Sequence, residues 1–244
     1  MNISKKTAEG HELLDDVSNY DKDAYEKPSV TVDICICTVD EGELKILMIK
    51  RKNPPFRGKW ASPGGFLEIP KKESLEKTAL RELKEETGVK GIPVHQLYTY
   101  GDVNRDPRMR VITVAYYACV DSSVIKAQNI KAADDASEYC WMNIKDVPKL
   151  AFDHNKILSD LYVRLQGRVT YSDLAFQFLP EEFTWTELQT VFEVILDRKL
   201  IAPNFRRKIL GLYDIEETGK MSEAPTKGRP SKLLRFKGVK DVFS

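Results

Sequence analysis

Residues 73–88, Glu-Ser-Leu-Glu-Lys-Thr-Ala-Leu-Arg-Glu-Leu-Lys-Glu-Glu-Thr-Gly, constrain this chain more than any other stretch. Leu75, Ala79 and Leu83 recur at helical spacing and predict an apolar stripe on a helix that Gly88 closes as a C-terminal cap. Glu82, Glu85 and Glu86 lie three and four residues apart, so their side chains project near one another, while Lys77 and Lys84 point to solvent. Like charges at this spacing cost a few tenths of a kcal/mol per pair, and partial burial raises the cost. Two readings follow. The helix carries a solvated acidic face with Lys and Arg counterions, or its carboxylates gather a hard divalent cation, which takes oxygen ligands and shares them with substrate phosphates.

The longer pattern bears on that choice. Gly64-Gly65-Phe66-Leu67 forms a glycine turn upstream, Glu73 stands eight residues before Arg81, and Arg81-Glu-Leu-x-Glu-Glu-x-Gly88-Val follows. This string resembles the Nudix box, G-x5-E-x7-R-E-(apolar)-x-E-E-x-G-(apolar). Every named position from Glu73 onward matches. Seven residues rather than five separate Gly65 from Glu73, and Lys71 stands where the Glu would fall at the usual spacing. The extra residues sit in a loop, where insertions are tolerated. The resemblance implies an α/β/α sandwich with a mixed sheet and hydrolysis of a phosphoanhydride with Mg²⁺ or Mn²⁺. It implies that Glu82, Glu85 and Glu86 are the metal ligands and catalytic carboxylates, and that Arg81 orients them through a salt bridge to Glu73. Gly64 and Gly65 would let the backbone approach both helix and substrate. The family takes its general base from the box or from a later loop; Glu82 is the candidate within the box.

Charge is unevenly distributed. Residues 201–244 hold 10 Lys/Arg and 5 Asp/Glu, a local +5, whereas the other 200 residues hold 28 and 32, a local −4. An acidic body with a basic end predicts a second domain and a polyanionic partner. Cys35, Cys37, Cys119 and Cys140 fall in apolar, strand-like runs, with no Cys-x-x-Cys pair or Cys/His cluster for zinc, and read as reduced core thiols. Neither a signal peptide nor a membrane-length apolar run is visible, so a cytoplasmic protein that does not engage membranes is expected.

In chain order, residues 1–27 read as a polar tail and 28–154 as the Nudix-like domain. Strands are predicted at 30–39, 44–50, 93–100, 111–120 and 138–142, with a basic loop at 50–57. A helix runs from His154 to about Gln166, inside a helical connector at 155–182. The second domain, 183–244, begins with a capped amphipathic helix at 187–196. A basic helix, Phe205–Leu210, follows Pro203-Asn204, and Ile215 then pairs with Leu233–Phe236 as a hairpin across the loop from Thr218 to Lys232. Together these predict a winged helix-turn-helix. Arg206, Arg207 and Lys208 would enter the major groove, with Lys227 and Arg229 on the wing against phosphates or the minor groove. An ordinary basic surface or a dimerisation module is the alternative.

Between the third and fourth strands, Arg105-Asp-Pro-Arg108-x-Arg110 either grips a diphosphate or ribose phosphate or forms a solvated loop with local Asp–Arg pairs. Gly-Asp-x-x-Arg-Asp-Pro-Arg before an apolar strand resembles the Nudix branch that handles ADP-ribose, which implies substrate contacts from Arg105, Arg108 and Arg110. Trp60 or a tyrosine near Tyr98–Tyr100 could stack on the adenine, although each is more readily a core residue. His154 reads as a structural or helix-capping residue. Over residues 28–240 the chain resembles the Nudix-related transcriptional regulators, which pair such a domain with a winged helix and form homodimers. The primary expectation is a Mg²⁺-dependent hydrolase of ADP-ribose or a similar nucleoside diphosphate sugar, fused to a module for double-stranded DNA. The alternative is an ADP-ribose-sensing regulator with little or no hydrolysis.

Overall fold

The computed structural model describes residues 21, 23–87, 90–123, 136–223 and 229–240. In chain order the elements are β1 (Ser29–Asp40), β2 (Glu43–Arg51), β3 (Trp60–Ala61), β4 (Gly64–Phe66), α1 (Leu75–Thr87), β5 (His95–Tyr100), β6 (Val111–Val120), β7 (Ala136–Asn143) and α2 (His154–Arg168). There follow β8 (Glu182–Phe183), α3 (Trp185–Leu196), α4 (Ala202–Leu212), β9 (Tyr213–Met221) and β10 (Lys232–Val239). Gly88, read as a helix cap, lies outside the described residues.

β1 is the spine of the first domain and is buried along eight consecutive residues. Its side chains alternate between two cores, as the two-residue period of a strand requires. Val32, Ile34 and Ile36 face a cluster that Ala79 and Leu83 of α1 complete. Cys35 and Cys37 face the opposite cluster with Ile157, Leu161 and Leu165 of α2. A helix on each face of one sheet is the expected α/β/α sandwich. The sheet order is β3-β2-β1-β6-β5, with β7 on β2 and β4 on β1. β1 runs parallel to β6 and antiparallel to β2 and β4, so the sheet is mixed.

β2 pairs with the far half of β1, from Cys37 to Asp40, and β4 takes the near half, from Thr31 to Asp33. This division brings the glycine turn against β1. A Cβ on Gly64 would lie 2.3 Å from the Val32 carbonyl oxygen, so only glycine fits that approach.

The second core does not stop at the domain boundary. It continues from α2 through Leu174 and Phe178 of a 3-10 turn into Leu188, Phe205, Tyr213 and Leu234 of the second domain. Phe176 stacks on Phe236 with ring centroids 4.0 Å apart, and the Tyr213 hydroxyl donates to the Ser172 carbonyl at 2.8 Å. In the second domain, Thr184 caps α3 in a reciprocal capping box with Glu187. α4 follows after a short turn, and β8, β10 and β9 form a three-stranded sheet in that order. Phe236 pairs with Ile215, as the sequence predicted, but β9 runs on to Met221, so Lys220 lies in a strand rather than in the loop.

Candidate functional site

α1 enters the site through Arg81. Its Nε donates to Glu73 Oε2 at 2.9 Å, and its Nη1 donates both to Glu82 Oε1 at 2.7 Å and to Glu85 Oε2 at 2.9 Å. Glu68 approaches the same Nη1 at 3.5 Å. Glu68 comes from the lengthened loop, which folds as a 3-10 turn over Ile69–Lys71 and ends on Lys72 in the left-handed region. The longer loop thus leaves the Arg81–Glu73 pair intact and adds a fourth carboxylate nearby.

Burial works against the Arg81 charge, but the bonds to Glu73, Glu82 and Glu85 more than compensate and hold the guanidinium protonated. Glu82 is different. Burial pushes its carboxyl above the usual glutamate range despite the bond from Arg81. Arg81 Nη2 is itself buried with no hydrogen-bond partner among the described residues.

Glu68, Arg81, Glu82 and Glu85 line a cleft of about 650 Å³. Gly64, Gly65, Arg51, Arg105, Arg108 and Phe152 line it as well. A lining that mixes carboxylates with arginines suits a ligand that is itself anionic and metal-bound. Among the described residues no three His, Cys, Asp or Glu side chains converge as a ready metal cluster, and the Glu86 side chain lies outside them. The donor chemistry nevertheless fits a hard divalent cation. Two carboxylates already meet at one positive nitrogen, and burial disfavours the charged form of the more buried one, a cost that a cation would relieve.

The arginine segment divides. Arg105 is buried and gives two hydrogen bonds to Asp153, at 3.1 and 2.8 Å, and one to Asp33 at 3.3 Å. Arg108 lines the cleft mouth, forked onto Asp106 at 3.0 and 2.8 Å, with its guanidinium 5.3 Å from the Phe66 ring. Arg110 is exposed and is not among the cleft-lining residues. Trp60 and Tyr98 also lie outside the lining, and the Tyr100 hydroxyl is tied to Asp160 at 3.0 Å. The aromatics that do face the cleft are Phe66 and Phe152, which sequence reasoning missed.

Asp33 was also missed, since it reads as an interruption in an apolar strand. It sits on the cleft floor, 3.5 Å from Nε2 of the buried His154. His154 Nδ1 accepts from the Ser62 backbone N–H at 2.9 Å, which places the neutral ring's proton on Nε2. Burial pulls the His154 pKa below the ordinary histidine value. His154 thus lines the cleft as a buried, hydrogen-bonded ring at the start of α2, an arrangement that fits a structural role.

On the second domain, Arg206, Arg207 and Lys208 are exposed on α4, and Arg229 is exposed beside the wing. Lys227 lies outside the described residues.

Fold and site together define a Nudix domain carrying a DNA-binding-type winged helix, and comparison with known proteins bears this out. The NUDIX domain family model matches residues 27–161, and the chain belongs to that family. The model of the NrtR DNA-binding winged helix domain matches residues 175–236, which places the chain beside the NrtR regulators. It is 35% identical to the ADPR responsive transcriptional repressor NtrR of Acinetobacter baylyi, over 90% of this chain and 86% of that protein. Over 57% of this chain and 76% of the relative it is 43% identical to an ADP-ribose pyrophosphatase of Methanocaldococcus jannaschii. Shewanella oneidensis NrtR, in a crystal structure with a 27mer DNA, superposes with a TM-score of 0.74 at 35% identity, over 85% of this chain and 93% of that one. Among the described residues no helix is long and apolar enough to cross a membrane.

Proposed function

We propose that the protein hydrolyses the diphosphate of ADP-ribose, or of a similar nucleoside diphosphate sugar, and carries a module that binds double-stranded DNA. The observation that carries the first half is the Arg81 hub, which gathers Glu73, Glu82 and Glu85 beside a cleft that Arg51, Arg105 and Arg108 also line. In the reaction, water adds to one phosphorus and the bridging oxygen leaves with the other phosphate, giving AMP and a sugar phosphate. Nudix hydrolases generally use divalent metals. Here Mg²⁺ or Mn²⁺ would be held by Glu82 and Glu85, with Glu86 the third candidate, and would supply charge neutralisation and an acidified water. Arg81 holds Glu82 by Oε1 and leaves the other oxygen as the candidate acceptor for the water's proton. Gly65, without a side chain, lets its own backbone pass against that carboxylate, and Arg108 offers positive charge in the cleft lining.

The NrtR likeness, which spans nearly the whole chain, favours a second role as an ADP-ribose-responsive regulator. α2 supports the coupling. It starts beside the cleft at His154, and its apolar face lies in the core that continues into the winged helix. A ligand shifts DNA affinity only through unequal affinity for the DNA-competent and DNA-incompetent forms. We take the functional unit to be a homodimer in the cytoplasm, where buried thiols at Cys35, Cys37 and Cys119 stay reduced, with residues 155–182 as the connector. The test is release of AMP from ADP-ribose with Mg²⁺ or Mn²⁺, beside Glu82→Gln. Turnover unchanged in that variant would overturn the catalytic assignment. Saturable ADP-ribose binding without turnover would leave the regulatory role alone.

A further inference from the structure

Part of the basic charge of the second domain is answered within its own sheet. Lys220 pairs with Glu182 at 2.9 Å, Lys232 with Glu217 at 2.7 Å, and Arg235 with Glu182 at 2.8 Å. Lys237 faces Glu216 at 3.5 Å. Arg206 has no such partner. Among the described residues it makes no ion pair or hydrogen bond, yet it is not loose, because its guanidinium lies 5.5 Å from the centre of the Trp185 ring.

Trp185 is placed for this by the helix-turn-helix itself. It is the first residue of α3, directly after the Thr184 cap. Phe205 of α4 is buried against Phe192 at 5.1 Å and meets the Trp185 ring edge-on at 6.5 Å. Arg206, the next residue on α4, therefore emerges beside the indole, in the amino-terminal half of the helix. Recognition helices present that half to base edges.

We infer that Trp185 is a positioning residue for DNA specificity: it holds Arg206 so that the guanidinium reads a guanine in the major groove. The inference rests on the DNA-binding half of the function proposed above. A guanidinium held over a ring keeps its in-plane N–H donors free, and their fork matches the O6 and N7 acceptors of guanine. Holding the side chain in advance lowers the entropy lost when it orders on the base. A contact made only to phosphate needs a charge within reach and gains little from that preorganisation.

The experiment uses the full-length protein and a pool of duplexes with a randomised central segment. Wild-type protein selects its preferred duplex from the pool, and each variant is then measured on that duplex and on one with the preferred guanine replaced. Trp185→Leu keeps the Arg206 charge but removes the ring. It is expected to lose about tenfold or more in affinity for the preferred duplex and to stop discriminating at that guanine, while the salt slope of binding stays unchanged. Arg206→Lys keeps the charge and loses the fork, and gives the same pattern even if Trp185→Leu folds poorly. Trp185→Phe retains discrimination. If Trp185→Leu or Arg206→Lys selects the same guanine with wild-type affinity, the inference is overturned. A wild-type protein that binds no duplex in the pool would instead overturn the DNA-binding reading on which it stands.

Discussion

The backbone of Gly65 runs against the carboxylate of Glu82: a Cβ there would lie 2.4 Å from both carboxylate oxygens. Gly64, one residue earlier, would meet backbone instead, with its Cβ 2.3 Å from the Val32 carbonyl oxygen. These neighbours give opposite phenotypes. Glu82 is the tip of a flexible side chain and can swing aside, so Gly65→Ala folds but displaces a candidate ligand. ADP-ribose turnover is expected to fall by about a hundredfold, the scale set by displacing a group at the chemistry by an ångström. Gly64→Ala meets the Val32 backbone first, which cannot swing aside, and is expected to cost about 1–3 kcal/mol of stability in urea denaturation. A Gly65→Ala enzyme with wild-type turnover would remove Glu82 from the site.

Glu82 carries a second consequence. Its raised pKa means that the folded state holds the proton more tightly than the unfolded state. The ionised form therefore destabilises the fold, and the penalty grows as pH rises from the unfolded glutamate value, about 4.3, through the raised folded one. Without metal, Glu82→Gln should melt higher than wild type near neutral pH, and the gap should close as pH falls to about 4. Thermal melts in the presence of chelator measure it. Added Mg²⁺ should raise the wild-type melting temperature and leave that of the variant nearly still. A variant that melts lower than wild type at neutral pH would contradict this.

His154 has the opposite dependence. Burial lowers its pKa, with Arg105 and Arg51 acting in the same direction and Asp33 and Asp153 opposing. The unfolded state then binds the proton first as pH falls. The stability from His154 is complete above its ordinary pKa, about 6.5, and is lost as pH drops through the depressed folded value. His154→Asn keeps an acceptor for the Ser62 N–H but does not titrate. The difference in unfolding free energy between wild type and this variant should shrink steadily as the buffer is acidified below about pH 6.5. A difference that does not vary with pH would show that His154 is already charged, or unburied, in the folded protein.

What could be read from the sequence was what local spacing determines. Glu73 and Arg81 are eight apart, the span of about two helical turns, and the structure joins them at 2.9 Å with Glu73 just ahead of α1. Glu82 and Glu85 lie on the cleft side of α1 because Ala79 and Leu83 fix which face is buried. The two- and three-residue strands β3 and β4 were not legible, since they exist only by pairing with β2 and β1 and have no periodicity of their own. Arg105 shows the same limit. In the sequence it looks like its neighbour Arg108, but Asp153, 48 residues away, engages it in the floor of the cleft. Its role there is first structural, and Arg105→Met should cost roughly 3 kcal/mol of stability by leaving Asp33 and Asp153 buried without a cation.

The local excess of +5 after residue 200 suggested a broadly basic, DNA-facing end, but four of its ten cations, Lys220, Lys232, Arg235 and Lys237, are paired with glutamates in the sheet, and the effect of that pairing can be measured. Each cation that displaces counterions from a phosphate adds about 0.9 to the slope of log affinity against log salt. Arg229 is exposed beside the wing and has no ion-pair partner among the described residues, so Arg229→Ala should lower the slope by about one. Lys232 is paired with Glu217 at 2.7 Å. Replacing both with Gln removes a neutral pair, and the slope should stay where it is. If the double replacement lowers the slope as much as Arg229→Ala does, Lys232 leaves Glu217 for the phosphates in the complex. The sheet, and not only α4 and the wing tip, would then lie against the duplex.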